Sequence, residues 1–186
     1  MTKKLWEASL NQKKKSNLFD FENFISKKLN KKFDRNYNRL LDWSIKNSPD
    51  FWNYFWDYSK IIGIKSKQKI KRSKKFYKNL FLPGSKLNFG ENLLPKNNLD
   101  KAITFISENG FREQKTWKQL NLSTSKIIKF LRKINIKKGD RVVAYMPNTI
   151  QTVEAFIASS SIGSIWSSCS PDFGIRGVVE RFSQIN

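Results

Sequence analysis

A serine pair, the single cysteine and an aspartate lie together in one polar stretch, residues 168–174. The stretch follows a short apolar segment, a helix rich in small residues and a second apolar segment, the order expected of a strand, a crossover helix and a parallel strand. Ligands of open α/β sheets bind beyond the carboxyl ends of the strands. Chemistry is therefore expected in the loop between Ser168 and Gly174.

The absence of some residue types excludes several kinds of catalytic and metal site. Cys169 is the single cysteine, and histidine is absent. A Ser-His-Asp triad, a Cys-His pair, an ordinary zinc site and an intramolecular disulfide therefore cannot be assembled from this chain. No base or cation neighbours Cys169 in sequence, which favours a small buried apolar residue over a nucleophile.

The elements that must position the loop begin at residue 101. Residues 102–106 are predicted to be a strand, Asn109-Gly110 a hairpin turn and residues 114–117 the return strand. A helix is expected to open at Thr116 or Trp117. Its apolar set is Leu120, Leu122, Ile127, Ile128, Leu131 and Ile134.

The crossover unit follows directly. Residues 141–146 form a continuous apolar run, the pattern of a strand buried in a parallel sheet. Asn148 is a suitable N-cap for a helix over residues 149–162, and Gly163 is a suitable stop. The second strand of the unit begins near Ile165.

The first half of the chain is predicted to be helical. Residues 19–29 fit one helix, and Ser48 followed by Pro49 predicts the N-cap and first residue of another. That second helix carries aromatic residues at helical spacing, namely Phe51, Trp52, Phe55 and Trp56. These rings either dock helices onto a core or stack on nucleic-acid bases, and the spacing favours the core.

The net charge of +21 raises the question of a polyanionic partner. Lysine outnumbers arginine 28 to 8, and the bias toward Lys, Asn and Ile is what an AT-rich coding sequence imposes on a whole chain. Residues 65–78 form a basic run that is either a phosphate-binding stripe or a solvated connector kept soluble by its charge; the connector is favoured. A basic nucleic-acid-binding module stays open as an alternative function.

The sequence gives no sign of export. Lys3, Lys4 and Glu7 interrupt the amino terminus, where a signal peptide would have an apolar region. The most apolar run, residues 153–165, is too short to span a bilayer. We therefore expect a cytoplasmic protein with neither a membrane partner nor a specific nucleic-acid partner.

Several motifs in this order resemble the acetoacetate-CoA ligases, a family of the acyl-adenylate-forming (AMP-binding) superfamily. The most specific is Trp-Ser-Ser-Cys-Ser-Pro-Asp-Phe-Gly at residues 166–174. Upstream, Phe-Leu-Pro-Gly at residues 81–84 and Leu-Asn-Phe-x-Glu-Asn-Leu-Leu at residues 87–94 fit the same family. The resemblance continues to Phe-Trp-x-x-Phe-Trp at residues 51–56 and faintly to Leu-Trp-x-x-Ser at residues 5–9, so it covers nearly the whole chain.

The resemblance implies an α/β fold, with a helical cap at residues 1–95 followed by the start of the large α/β domain at residues 96–186. It also implies a two-step ligation that uses ATP, Mg²⁺ and coenzyme A. Acetoacetate would first become an acyl-adenylate with release of pyrophosphate, and coenzyme A would then displace AMP. The loop at residues 170–173 would lie near the entry tunnel for coenzyme A, which makes Asp172 and Phe173 candidates for its lining. The other interpretation of Asp172 is an N-cap for a helix over residues 173–182.

The phosphate-binding part of such an enzyme is not in this sequence. A phosphate loop would be rich in Ser, Thr and Gly with a following Lys, whereas the eight glycines here are never adjacent. In the family this loop and the catalytic lysine lie downstream of residue 186. We therefore expect a truncated chain that lacks the carboxy-terminal remainder of the enzyme, contributes no catalytic residue and does not hold the cofactors by itself.

Overall fold

The computed structural model describes residues 5–185 as two compact units, which divide between Lys86 and Leu87. The amino-terminal unit is mainly helical, and the carboxy-terminal unit combines helices with strands. This confirms the predicted α/β fold class with a helical amino-terminal part. The predicted domain boundary between residues 95 and 96 stays a prediction. No helix of the described residues has the length and apolar content that a membrane crossing requires.

Four helices build the amino-terminal unit, and short strands follow them. The helices are α1 (Leu10–Lys14), α2 (Asn17–Leu29), α3 (Tyr37–Lys46) and α4 (Ser48–Tyr58). The strands are β1 (Gly63–Ile64), β2 (Ile70–Lys71) and β3 (Leu80–Phe81), with β4 (Lys86–Leu87) at the division between the units.

The core of this unit is largely aromatic. Its buried members are Phe21, Ile25, Phe33, Leu40 and Trp43. Phe51 and Phe55 of α4 pack against them, with ring centroids 5.7 and 5.8 Å from that of Phe21. This confirms the core interpretation for these two rings. Trp52 differs, because it is 43% exposed and lies at the edge of this cluster, where its ring contacts Phe51, Phe55 and Phe81.

The start of α4 departs from the sequence prediction. Ser48 is the first helical residue, and Asn47 occupies the N-cap position without a side-chain capping bond. Asn47 instead donates from its side chain to the carbonyl oxygen of Trp43, at 3.0 Å, at the end of α3. The junction between the two helices therefore uses Asn47 to close α3, which the N-cap rule applied to Ser48 did not anticipate.

The carboxy-terminal unit begins with α5 (Phe89–Leu93) and an antiparallel hairpin. Strands β5 (Lys101–Ile106) and β6 (Arg112–Thr116) pair around the Asn109-Gly110 turn, where Gly110 has φ of +82°. Helix α6 (Trp117–Lys133) then opens on Thr116, whose side chain accepts from the Gln119 amide in a capping box. The predicted hairpin and helix start are confirmed. Leu122 and Ile134 of the predicted apolar set are exposed, and Thr124 is buried in their place.

A parallel pair of strands completes the unit, with α7 (Ile150–Ser161) as its crossover. Strands β7 (Arg141–Tyr145) and β8 (Ile165–Cys169) run in register, and Gly163 ends the helix at φ of +77°. The βαβ unit is thus confirmed. The chain then continues into α8 (Ile175–Phe182).

Two details of this unit differ from the predictions. The N-cap of α7 is Thr149 rather than Asn148, and it makes no side-chain capping bond. Strand β7 is not fully buried, because Val143 and Tyr145 on one of its faces are about half exposed. Its sheet holds only two strands among the described residues, and this face of β7 is not covered, whereas both faces of a large parallel sheet are covered by helices.

Candidate functional site

The candidate loop begins where the two parallel strands end side by side. Tyr145, the last residue of β7, is in register with Cys169, the last residue of β8. The Met146 amide donates to the Cys169 carbonyl oxygen at 3.1 Å, which extends this pairing by one residue. Cys169 is buried and free, as predicted for a small apolar residue. The loop at residues 170–174 therefore leaves the sheet at its carboxyl edge, where ligands of α/β proteins bind.

The phenol of Tyr145 fixes the path of this loop. Its hydroxyl oxygen lies 2.9 Å from the carbonyl oxygen of Pro171 and 2.9 Å from that of Phe173. A phenol has one proton to donate, so the two carbonyl groups share it. One side chain at the end of β7 thus holds both sides of Asp172 in place.

Asp172 is exposed and makes its contacts inside the loop. Its carboxylate accepts from the Ser170 hydroxyl at 2.6 Å, and its amide donates to the same hydroxyl oxygen at 3.4 Å. The interpretation of Asp172 as an N-cap is wrong, because Gly174 occupies the N-cap position of α8 and the helix begins at Ile175. The reason is geometric: the loop turns back on Ser170 before the chain becomes helical, with the Phe173 amide donating to the Ser170 carbonyl oxygen.

Phe173 lies beside a cation that belongs to α8. The guanidinium carbon of Arg181 is 4.2 Å from the centroid of the Phe173 ring, a cation–π arrangement. Both side chains are at the surface. The exposed part of the site thus combines a carboxylate, an aromatic ring and a guanidinium. Arg181 was not among the predicted site residues.

A buried ion pair supports the crossover helix. The Lys115 ammonium of β6 lies 2.7 Å from the Glu154 carboxylate of α7 and 3.5 Å from the Ser123 hydroxyl of α6. The Glu154 side chain is only 4% exposed, and that of Lys115 is 20% exposed. The pair joins three elements of the unit, and sequence reasoning missed it because its partners are 39 residues apart.

A glycine brings α5 close to the same helix. A Cβ atom at Gly90 would lie 2.3 Å from the Ser161 hydroxyl oxygen and 2.9 Å from the Ile157 carbonyl oxygen. Nearby, the Asn88 amide group donates to the Ser161 carbonyl oxygen at 2.8 Å. The Leu-Asn-Phe-x-Glu-Asn motif thus attaches α5 to the end of α7, from which the chain enters β8.

The described residues hold no group of three or more Cys, Asp or Glu side chains that could bind a metal ion. They also contain no glycine-rich turn between a strand and a helix of the kind that cradles phosphates. The loop at residues 170–174 is instead a small mixed surface of apolar and charged groups.

Comparison with known proteins identifies the relatives of this chain. Residues 96–185 match the family model described as AMP-binding enzyme. Acetoacetyl-CoA synthetase of Xenopus tropicalis is 40% identical over 177 residues, which is 93% of this chain and 26% of that protein. Acetoacetyl-coenzyme A synthetase of Rhizobium meliloti is 35% identical over 181 residues, which is 97% of this chain and 28% of that protein.

A solved structure agrees with these matches. Acetoacetyl-CoA synthetase from Streptomyces lividans superimposes with a TM-score of 0.89 at 25% identity, over 99% of this chain and 29% of that one. The chain is homologous to acetoacetyl-CoA synthetases. It spans about a quarter of the length of the curated relatives that it matches.

The two motifs that carry the resemblance in the sequence lie at the end of the crossover unit and on the helix packed against it. The Trp-Ser-Ser-Cys-Ser-Pro-Asp-Phe-Gly stretch covers most of β8 and the whole candidate loop. The Leu-Asn-Phe-x-Glu-Asn-Leu-Leu stretch covers the end of β4 and α5, which packs on α7 through Gly90. One motif therefore belongs to the crossover unit β7–α7–β8, and the other packs against it.

Proposed function

We propose that this chain is the amino-terminal part of an ATP-dependent acetoacetate-CoA ligase. The complete enzyme converts acetoacetate, ATP and coenzyme A into acetoacetyl-CoA, AMP and pyrophosphate. The observation that supports this most is the homology to acetoacetyl-CoA synthetases over nearly the whole chain. We place the enzyme in the cytoplasm, where the free thiol of Cys169 stays reduced.

The chemistry of the complete enzyme divides between this chain and the remainder. ATP would supply the adenylyl group that activates the carboxylate, and Mg²⁺ would offset the charge of the phosphates. Stabilising that charge also needs a lysine and backbone donors at close range. The present residues do not fit that task, because the chain has no phosphate loop. The ligands for ATP and Mg²⁺ are therefore assigned to the part that follows residue 186.

The loop after β8 fits a different task, the passage of coenzyme A. The pantetheine arm of coenzyme A is a narrow chain with amide groups. The exposed ring of Phe173 would offer this chain an apolar contact, and the carboxylate of Asp172 would offer its amide groups a hydrogen-bond acceptor. Tyr145 keeps the loop in one conformation, which a tunnel wall requires. We assign Asp172 and Phe173 to the lining of this tunnel, with Tyr145 as the residue that positions them.

Acetoacetate-dependent exchange of pyrophosphate into ATP tests the division of labour. The isolated 186-residue chain is expected to show none, while a complete enzyme with this sequence at its amino terminus is expected to exchange. Acetate in place of acetoacetate is the matched substrate control. Robust exchange by the isolated chain would contradict the assignment of the phosphate site to the remainder, and failure of the complete enzyme with acetoacetate would contradict the proposed substrate.

The assignment of the loop is tested in the complete enzyme by Phe173→Ala. The exchange reaction does not use coenzyme A, so its rate is expected to stay within about twofold, while the KM for coenzyme A rises about tenfold or more. Phe130→Ala, which removes an exposed ring on α6, is the matched control and should change neither value. Equal losses in both reactions would show that Phe173 acts on the fold rather than on coenzyme A.

A further inference from the structure

A second surface, in the amino-terminal unit, has no role in the proposed ligation. Strands β2 and β3 pair antiparallel, Ile70 with Phe81 and Lys71 with Leu80, and enclose a loop at residues 72–79. We call residues 70–81 the basic hairpin.

The charge of the basic hairpin is uncompensated. The sequence contains no Asp or Glu between Asp57 and Glu91. Lys65 and Lys69, just before the hairpin, pair with Asp57 and Asp50 of α4 at 2.7 and 2.5 Å. The hairpin cations form no ion pair within 4 Å with any residue of the described range 5–185; these are Lys71, Arg72, Lys74, Lys75 and Lys78.

Apolar side chains are exposed among these cations. Phe76 is 83% exposed and Tyr77 is 66% exposed, although burial of such rings is strongly favourable. The two rings meet edge to face, with centroids 5.9 Å apart. Leu80 on β3 adds a further exposed apolar group. A single exposed ring is ordinary on a protein surface, but two at the end of one hairpin indicate a partner.

The loop presents these rings in a defined conformation. The Ser73 amide donates to the Asn79 side-chain oxygen at 2.8 Å, across the base of the loop. The rings stand on a 3₁₀ turn, Phe76–Lys78, which the Lys78 amide closes by donating to the Lys75 carbonyl oxygen at 2.9 Å. The ordering entropy of the loop is thus already lost before any partner binds.

We propose that the basic hairpin docks the protein on an anionic lipid surface, with Phe76 and Tyr77 entering the headgroup region and the surrounding cations facing lipid phosphates. Aromatic side chains are favoured at the depth of the lipid headgroups. Clusters of four or more cations are attracted by leaflets that contain acidic lipids. RNA is the less favoured partner because of the type of these cations. Four of the five cations are lysines, whereas arginine forms the bidentate contacts typical of nucleic-acid recognition.

This proposal departs from the sequence expectation that no membrane is involved, and it is independent of the proposed ligation. It takes up the less favoured interpretation of residues 65–78, a phosphate-binding stripe, and restricts phosphate binding to the hairpin. The two lysines before it, Lys65 and Lys69, instead tie the segment to α4.

Vesicle co-sedimentation of the 186-residue chain tests the proposal. The vesicles consist of phosphatidylcholine alone or of phosphatidylcholine and phosphatidylglycerol at about three to one, in salt of about 0.15 M. The chain is expected to bind the acidic vesicles and not the neutral ones. Replacing Lys71, Lys74 and Lys75 by Gln should weaken binding at least tenfold, and Phe76→Ala with Tyr77→Ala should weaken it while leaving the net charge unchanged.

Matched controls separate the hairpin from the general charge of the chain. Replacing Lys118, Lys126 and Lys129 on α6 by Gln removes the same charge from exposed positions elsewhere and should change vesicle binding less than twofold. Circular dichroism of every variant checks that it is folded. Equal weakening by the two triple variants, no effect of the aromatic double variant, or a single-stranded RNA that depends on the hairpin more strongly than the vesicles do would each overturn the proposal.

Discussion

At the scale of single residues, Tyr145 and Gly90 have the clearest structural roles. Tyr145 closes the candidate loop by a hydroxyl shared between two carbonyl groups, and Gly90 permits two helices to meet without a gap. Neither residue performs chemistry in the proposed reaction. Both determine where Asp172 and Phe173 stand, because the loop follows β8 and β8 follows α7.

Substitution of Gly90 by Ala is expected to destabilise the carboxy-terminal unit. The added Cβ would overlap the backbone amide of Ser161 at 2.7 Å, and backbone atoms cannot move aside without shifting a helix. Overpacking of this kind costs about 1–3 kcal/mol. Urea unfolding, followed by circular dichroism, measures the change.

Gly174→Ala is the control for this prediction. Gly174 has φ of −62° and nothing within 4 Å of an added Cβ, so a methyl group fits there, and the stability should fall by less than about 1 kcal/mol because Ala is a poorer N-cap than Gly. A Gly90→Ala variant as stable as Gly174→Ala would mean that α5 and α7 are not in close contact in solution.

At the scale of elements, ion pairs join segments that the sequence separates. The Lys115–Glu154 pair joins β6 to α7, and the Lys69–Asp50 pair joins the segment before the basic hairpin to α4. Burial distinguishes the two pairs. The first is nearly out of contact with water, while both members of the second are well exposed.

Removal of one partner of the buried pair is expected to be costly. Lys115→Met leaves the Glu154 carboxylate buried without its cation, and loss of a partner in such a pair costs about 3–5 kcal/mol. The double variant with Glu154→Leu should recover most of the loss, because no buried charge then remains. Free energies of unfolding of both single variants and of the double variant form the complete cycle.

An exposed pair of the same unit is the control for the buried one. Arg176 and Glu180 on α8 are 93% and 61% exposed, so Glu180→Gln should change the free energy of unfolding by no more than about 0.5 kcal/mol. If Lys115→Met lowered the free energy of unfolding equally little, water would have access to Glu154 and the pair would not stabilise α7.

The Lys69–Asp50 pair predicts a pH dependence. The hydrogen bond that the Lys69 ammonium donates to the Asp50 carboxylate, and after it the charge of Asp50, raise the pKa of Lys69 above its ordinary value of 10.5. A raised pKa means that the folded state binds the proton more tightly than the unfolded state does. The stabilisation is therefore complete below pH 10.5 and is lost as the pH rises through the folded-state pKa.

Lys69→Gln tests this dependence. The variant should be less stable than the parent by no more than about 1 kcal/mol at neutral pH, since the pair is exposed and screened. The difference should shrink as the pH rises above 10.5 and disappear above the folded-state pKa of Lys69. Lys71→Gln, in the same segment but without an acidic partner, should show no difference at either pH. A Lys69 effect that persists in strong base would contradict the role of the charge.

At the scale of the whole molecule, the net charge of +21 is distributed unevenly. Residues 1–90 carry 22 basic and 7 acidic residues, so most of the excess lies in the first half. A charge of this size attracts any polyanion at low salt, whatever the function of the protein. Binding to nucleic acid is therefore informative only if it depends on which lysines are removed and on the salt concentration.

The two triple lysine variants measure that dependence with RNA. Each removes three charges from +21, and we expect equal, modest weakening of RNA binding by the hairpin variant and the α6 variant. Binding of both should fall steeply with salt and vanish near 0.2 M, about physiological ionic strength or slightly above. Tight binding that survives this salt, in fluorescence anisotropy, would support the alternative of a nucleic-acid-binding module.

The sequence alone determined most of the secondary structure and the family resemblance. Local signals suffice for these: Thr116 with Gln119 forms a capping box, Gly163 adopts the left-handed conformation that ends α7, and apolar runs mark β7 and β8. The candidate loop was also located from its position after a strand. Three errors lie at helix starts. Asn47 and Thr149 occupy the N-cap positions predicted for Ser48 and Asn148, and Gly174 occupies the one offered for Asp172.

Only the tertiary structure decided which side chains meet. Tyr145 reaches Pro171 and Phe173, and Lys115 reaches Glu154, over 26 to 39 residues of chain. Exposure, too, was decided there: Leu122 is exposed and Thr124 buried on one helix, which the apolar pattern had reversed. Local signals arise from the conformational preferences of a few adjacent residues. Contacts between distant residues depend on how whole elements pack, and no short stretch of sequence contains that information.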